Sequence, residues 1–98
     1  MLETQYRASR LCRVLGNPTA YQIVVHLRRS NMTPTQLSKR IGLSLKTISS
    51  TLRHLRETNI VRYETEDKNK IYFLKDKSLI PVLDTIEQFV NTMRLKKW

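Results

Sequence analysis

The stretch from Met32 to Val61 constrains this chain more than any other part of it. It reads as a helix, a tight turn, a second helix and the start of a strand. Thr33 is placed to cap the first helix, Pro34 suits its first position, and Gln36 completes a capping box. Leu37 and Ile41 fall four apart on one face. Gly42 stands where the chain leaves the helix at positive φ. Leu43 is expected to plug the space between the two helices, and Ser44 to cap the second. Leu45, Ile48, Leu52 and Leu55 then make one buried stripe. The opposite surface carries Lys46, Thr47, Ser50, Arg53 and His54, with Ser49 bordering the stripe. Two short helices around a glycine turn, the second polar and basic on its outside, form the pattern of a helix-turn-helix that enters DNA.

The flanking segments read as support for that unit. From Thr4 to Leu15 the pattern is helical, with Ala8, Leu11, Cys12 and Leu15 as the apolar stripe and Val14 off it. Gly16-Asn17-Pro18 closes this helix and starts the next, with Asn17 as its cap. That helix runs to about Arg29 and should bury Ala20, Ile23, Val24 and Leu27. The two N-terminal helices thus occupy residues 4–29 and the helix-turn-helix residues 33–57. Asn59 is placed to cap the second helix of the unit. Residues 60–74 then read as a hairpin, with strands Ile60–Thr65 and Ile71–Leu74 about a turn at Glu66–Asn69. A hairpin alone is marginal in water, so this one must pack on the helices, as a wing. A last helix over residues 78–96 tolerates Pro81 in its first turn and ends in Arg94, Lys96 and Lys97. Its apolar stripe, from Leu79 to Met93, is wider than one small core needs, and the surplus is read as a dimer contact made with the first helix. The expected fold is mainly α with a β-hairpin, a winged helix-turn-helix of order α-α-α-α-β-β-α in one domain.

Charge selects the partner. In 98 residues, 18 Lys and Arg stand against 8 Asp and Glu, a net charge of +10. A polyanion is the expected ligand. No apolar run approaches the roughly 18 residues that a membrane span needs. The first residues lack the apolar core of a signal peptide, and Cys12 is the single cysteine, so a cytoplasmic protein is expected.

The candidate DNA-contacting set is Lys46, Thr47, Ser49, Ser50, Arg53 and His54 on the helix, with Lys68, Asn69 and Lys70 on the wing. Arginine and lysine can bind guanine edges, and hydroxyls reach bases or phosphates. The bland alternatives are a solvated helix face and turn charges that keep an edge strand soluble. Arg28, Arg29, Lys39 and Arg40 are further candidates for phosphate contacts or simple surface charges. Cys12 lies on an apolar stripe, so burial is expected rather than a reactive thiol. His26 and His54 lack metal-ligand spacing with any other residue, and no metal or cofactor is expected. No nucleophile–base pair or paired-carboxylate motif is present, and with two glycines there is no phosphate-binding loop, so the chain does not read as an enzyme. A winged helix that binds protein or RNA without operator specificity is the alternative function.

The order of elements, with Leu15-Gly16-Asn17-Pro18-Thr19, Gly42-Leu43-Ser44, Ile48-Ser49, the run Leu52 to Arg56, and Asn59-Ile60-Val61-Arg62, resembles the ArsR/SmtB family of winged-helix repressors. The resemblance covers nearly the whole chain. It implies a homodimer that binds a pseudo-palindromic operator and blocks transcription, with release on metal or oxidant in many members. This chain departs from the sensing pattern. Thr33 and Thr35 stand where a family metal site has two cysteines, no histidine follows His54 to join Asp84, and Cys12 has no partner. The resemblance therefore leaves either another signal or a constitutive DNA binder.

Overall fold

The computed structural model describes residues 2–93. Its elements are α1 (Glu3–Leu15), α2 (Pro18–Arg29), α3 (Pro34–Ile41), α4 (Leu45–Glu57), β1 (Val61–Glu66), β2 (Asn69–Leu74) and α5 (Leu79–Thr92). This is the winged helix-turn-helix order expected from the sequence.

Local chemistry sets the helix boundaries. Asn17 Oδ1 accepts from the Ala20 amide at 3.0 Å, with Pro18 at the first position of α2. At α3 the capping box closes in both directions. The Gln36 amide donates to Thr33 Oγ1 at 3.2 Å, and the Thr33 amide donates to Gln36 Oε1 at 2.9 Å. Gly42 ends α3 at φ +83°, where a side chain would be strained. Gly16 serves a different need. Its φ is right-handed, but a Cβ there would stand 3.2 Å from the Cys12 carbonyl.

The end of α4 is a Schellman motif. The Asn59 amide donates to the Arg56 carbonyl at 3.0 Å and the Ile60 amide to the Leu55 carbonyl at 2.9 Å. Asn59 takes the left-handed conformation, at φ 65°. Ile60 and Leu55 are both buried, which supplies the apolar contact that accompanies this turn.

The core lies between α2, α4 and the hairpin. Ile23 and Val24 meet Leu37, Ile48, Leu52, Leu55, Val61 and Leu74 there. Among the described residues no polar or charged side chain is buried. The strands pair antiparallel from Val61–Leu74 to Glu66–Asn69. Met32 adds a short third rung: its amide donates to the Tyr72 carbonyl at 3.1 Å, and the Tyr72 amide donates back at 2.8 Å.

Several expectations are corrected. Cys12 and Ala8 are exposed, and α1 packs through Leu11, Val14 and Leu15 instead. Val14, off the expected stripe, turns to the core because the bulkier aliphatic side chains give more buried area than alanine and cysteine. Leu43 and Leu45 are also exposed, Leu45 at 49%. The buried residues of α4 begin at Ile48, so its first turn projects past the core. The hairpin is tighter than expected: Glu66 and Asn69 pair, leaving Asp67 and Lys68 as a two-residue turn.

The last helix is fastened by Leu83, with Leu79 and Ile80 packed against the core, and by polar contacts to α2. Of its residues only Leu83 is buried. Ahead of the helix Asp76 accepts from the Ser78 amide at 2.9 Å, and its hydrogen bonds with Ser78 hold the carboxyl below its usual range. Arg28 donates to Asp84 at 2.9 Å and lies 3.6 Å from Glu87, while the Tyr21 hydroxyl donates to Glu87 at 2.7 Å. Arg28 is thus committed to α5, with its side chain 19% exposed, rather than offered to phosphate. The expected closing residues Arg94, Lys96 and Lys97 lie outside the described residues.

Burial, then the hydrogen bond to Glu87 and that carboxylate's charge, push the Tyr21 hydroxyl up to about 12, with Arg28 opposing. Folding therefore favours the neutral phenol. That contribution is whole below the ordinary value of 10.0 and is lost as pH climbs through about 12. In urea melts across this window, Tyr21→Phe should lose stability with pH less steeply than the parent chain; equal slopes would remove Tyr21 as the source.

Candidate nucleic-acid interface

The surface opposite the core of α4 is built from its capped N-terminus. Ser44 Oγ accepts from the Thr47 amide at 3.1 Å and donates to Thr47 Oγ1 at 2.9 Å. The Ser38 hydroxyl donates to the Leu43 carbonyl and clips the turn between α3 and α4. The first turn of α4 is therefore fixed from both sides while its outer surface stays open. Lys46, Thr47, Ser49, Ser50, Arg53 and His54 are all exposed there. The ion pairs among the described residues involve Arg7 and Arg28, so neither Lys46 nor Arg53 is neutralised by a carboxylate. Ser49, expected at the border of the stripe, stands outside it. Thr51, half-buried beside this surface, donates to the Thr47 carbonyl at 2.9 Å.

The wing stands beside this helix. Asp67 and Lys68 take φ of 50° and 69°, the positive pair of a type I′ hairpin turn. This conformation costs a residue with a Cβ roughly 1–2 kcal/mol, so Lys68 sits at the tip against its backbone preference. Asn69 opens β2 opposite Glu66. Lys70 is further back, opposite Thr65, and its ammonium lies 4.9 Å from the centre of the Tyr63 ring. The nine expected residues thus divide into a helix group and a wing group; Lys68 marks the tip and Lys70 the flank.

Sequence reading missed Arg56. It lies three residues beyond Arg53 on α4, and its guanidinium carbon is 5.5 Å from the centre of the same Tyr63 ring. The spacing of Arg53 and Arg56 was a signal, since residues three apart share a helix face. The Tyr63 contact was not, because it joins elements through the fold.

A pre-capped helix with an open polar surface, joined to a short wing, can place side chains in a major groove and cations on the flanking backbone. The class of protein is a winged helix-turn-helix DNA-binding regulator. Comparison with known proteins agrees. The family described as bacterial regulatory protein, arsR family, matches residues 17–63. The cadmium metal-sensor CMTR from Mycobacterium tuberculosis is 33% identical, with 84% of this chain covering 85% of that one at a TM-score of 0.71. The transcriptional repressor BigR from Xylella fastidiosa is 26% identical over 86% of each chain, at a TM-score of 0.77. The homodimeric winged helix-turn-helix DNA-binding domain of Mb0332 from Mycobacterium bovis shares the fold, with a TM-score of 0.82 at 15% identity over 97% of this chain and 90% of that one. No curated protein matches the sequence. The chain belongs to the ArsR family of transcriptional regulators, and it is a DNA-binding protein rather than an enzyme. No helix among the described residues is long and apolar enough to cross a membrane.

Proposed function

We propose that this chain acts as a homodimeric repressor that reads operator DNA with α4. The observation that carries the reading is the outer surface of α4, where Lys46, Thr47, Ser49, Ser50, Arg53 and His54 are exposed and neither Lys46 nor Arg53 is in an ion pair among the described residues. Inserted in a major groove, Arg53 and Lys46 reach guanine edges while the hydroxyls serve bases or phosphates. Lys68, Asn69 and Lys70 contact the flanking backbone and minor groove. Repression follows the family and the description of BigR as a transcriptional repressor.

Dimerisation rests on apolar surface that one protomer leaves uncovered. Val82, Ile86, Phe89 and Val90 on α5 and Met93 at its end are exposed, Phe89 at 62%, as are Tyr6 on α1 and Leu2 just before it. Leu11 of α1 and Leu79 and Val82 of α5 line a single cleft of about 260 Å³, so the two helices offer adjoining surface. Such contiguous apolar surface is rare on a soluble monomer and common at subunit contacts. Two α4 helices in a dimer would read half-sites about one helical turn apart.

Three outcomes follow. Selection of bound duplexes from a random pool should return a two-fold motif, and Arg53→Ala should relax one position of each half-site at a cost of roughly 1–3 kcal/mol. Equal affinity for RNA, or affinity flat in salt, would turn the reading to the RNA or protein-binding alternative. Lys68→Gly should act in opposite directions. It relieves the positive-φ turn and raises stability by up to about 1 kcal/mol, yet it weakens binding to every duplex; a stability gain with unchanged binding would remove the tip from the interface. Phe89→Glu should yield monomers by sedimentation at concentrations where the parent chain is dimeric, and a persisting dimer would move the interface away from α5.

A further inference from the structure

The two faces of the wing differ sharply in charge. Strand alternation puts Val61, Tyr63 and Thr65 on one face with Lys70, Tyr72 and Leu74, and this face carries no acid. The wing-strand acids Glu64 and Glu66 lie on the other face, opposite Ile71 and Asn69, together with Arg62 opposite Phe73. Tyr63 is the centre of the acid-free face. Its ring holds the Arg56 guanidinium at 5.5 Å and the Lys70 ammonium at 4.9 Å, and Tyr72 packs 5.3 Å away. The ring thus gathers one cation from the end of α4 and one from the wing.

Neither cation belongs to an ion pair among the described residues. Contact with one ring caps their separation at about 10 Å, the sum of those two distances, so both charges stand on one patch of surface. The neighbouring Glu57 does not relieve them; it lines the cleft that α4 shares with Arg7 and Arg10 of α1. An aromatic ring can orient two cations but cannot neutralise them, because its attraction is that of a quadrupole and not of a net charge. An anion placed between them would.

We propose that Arg56 and Lys70, oriented by Tyr63, form a seat for a single phosphodiester of duplex DNA. This phosphate belongs to the strand segment that separates the groove entered by α4 from the groove touched by the hairpin tip. The inference rests on the DNA-binding reading and adds Arg56 and a positioning role for Tyr63 to it. The seat is blind to sequence: it anchors one backbone phosphate between the helix and the wing and adds equally to the affinity for every duplex.

The test measures affinity for one selected and one random duplex over a series of KCl concentrations. Both cations serve one phosphate, so the double variant Arg56→Gln with Lys70→Gln should lower the slope of log affinity against log salt by about 0.9, and each single variant by no more than that. The ratio of selected to random affinity should stay unchanged. Tyr63→Phe should keep the full slope, because the ring remains. Tyr63→Leu should lower it although both cations are present, in a chain shown by thermal melting to be folded at the assay temperature. An unchanged slope in the double variant overturns the seat, and an unchanged slope in Tyr63→Leu overturns the positioning role. A flat slope in the parent chain would instead overturn the DNA-binding reading itself.

Discussion

Two backbone hydrogen bonds between Met32 and Tyr72 hold the reading unit together. They join the residue just before α3 to the inner strand of the wing. Without them, the wing would be held by the Schellman turn and by the packing of Val61, Tyr72 and Leu74 in the core, with no backbone tie to the start of α3. With them it is tied at both ends of the helix-turn-helix, and Met32 and Tyr72 are both buried behind the tie. The groove-reading helix and the wing are therefore parts of one rigid body. A rigid binding surface enters its complex without first losing much conformational freedom.

The sequence made the local chemistry of this body legible. The capping box of Thr33 and Gln36, the Asn17 and Ser44 caps and the turn at Gly42 depend on residues within a few positions of each other, and each is found where its spacing puts it. The central stripe of α2 was legible for the same reason, since this helix lies against the core along its whole apolar stripe and buries Ala20, Ile23, Val24 and Leu27. The phase of α1 was not. That helix touches the body along one edge only, so Val14 and Cys12 compete for the same side, and tertiary packing decides between them.

The long-range contacts of the candidate site were the least legible. Nothing in the spacing of Met32 and Tyr72 announces a pair. The same holds for Arg28, which reads as a surface cation until α5 brings Asp84 to it, and for Arg56, which reads as the tail of a helix until the wing brings Tyr63 beneath it. In each case the role belongs to a pair of elements. A basic side chain is reassigned, from solvent to carboxylate in one case and to an aromatic ring in the other, by which element folds over it.

The two-residue turn of the wing has a consequence for how such a chain can vary. Asp67 and Lys68 leave the hairpin no slack, so its pairing is set to the residue. Side chains alternate across a strand, and a single inserted residue that slipped one strand would turn its whole inner face outward. Tyr72 would leave the core, and Lys70 would move to the acidic side. The wing of this protein can thus lengthen by paired additions to both strands or by a local bulge, but not by one residue in register. Its length is quantised, and the reach of its tip along DNA is quantised with it.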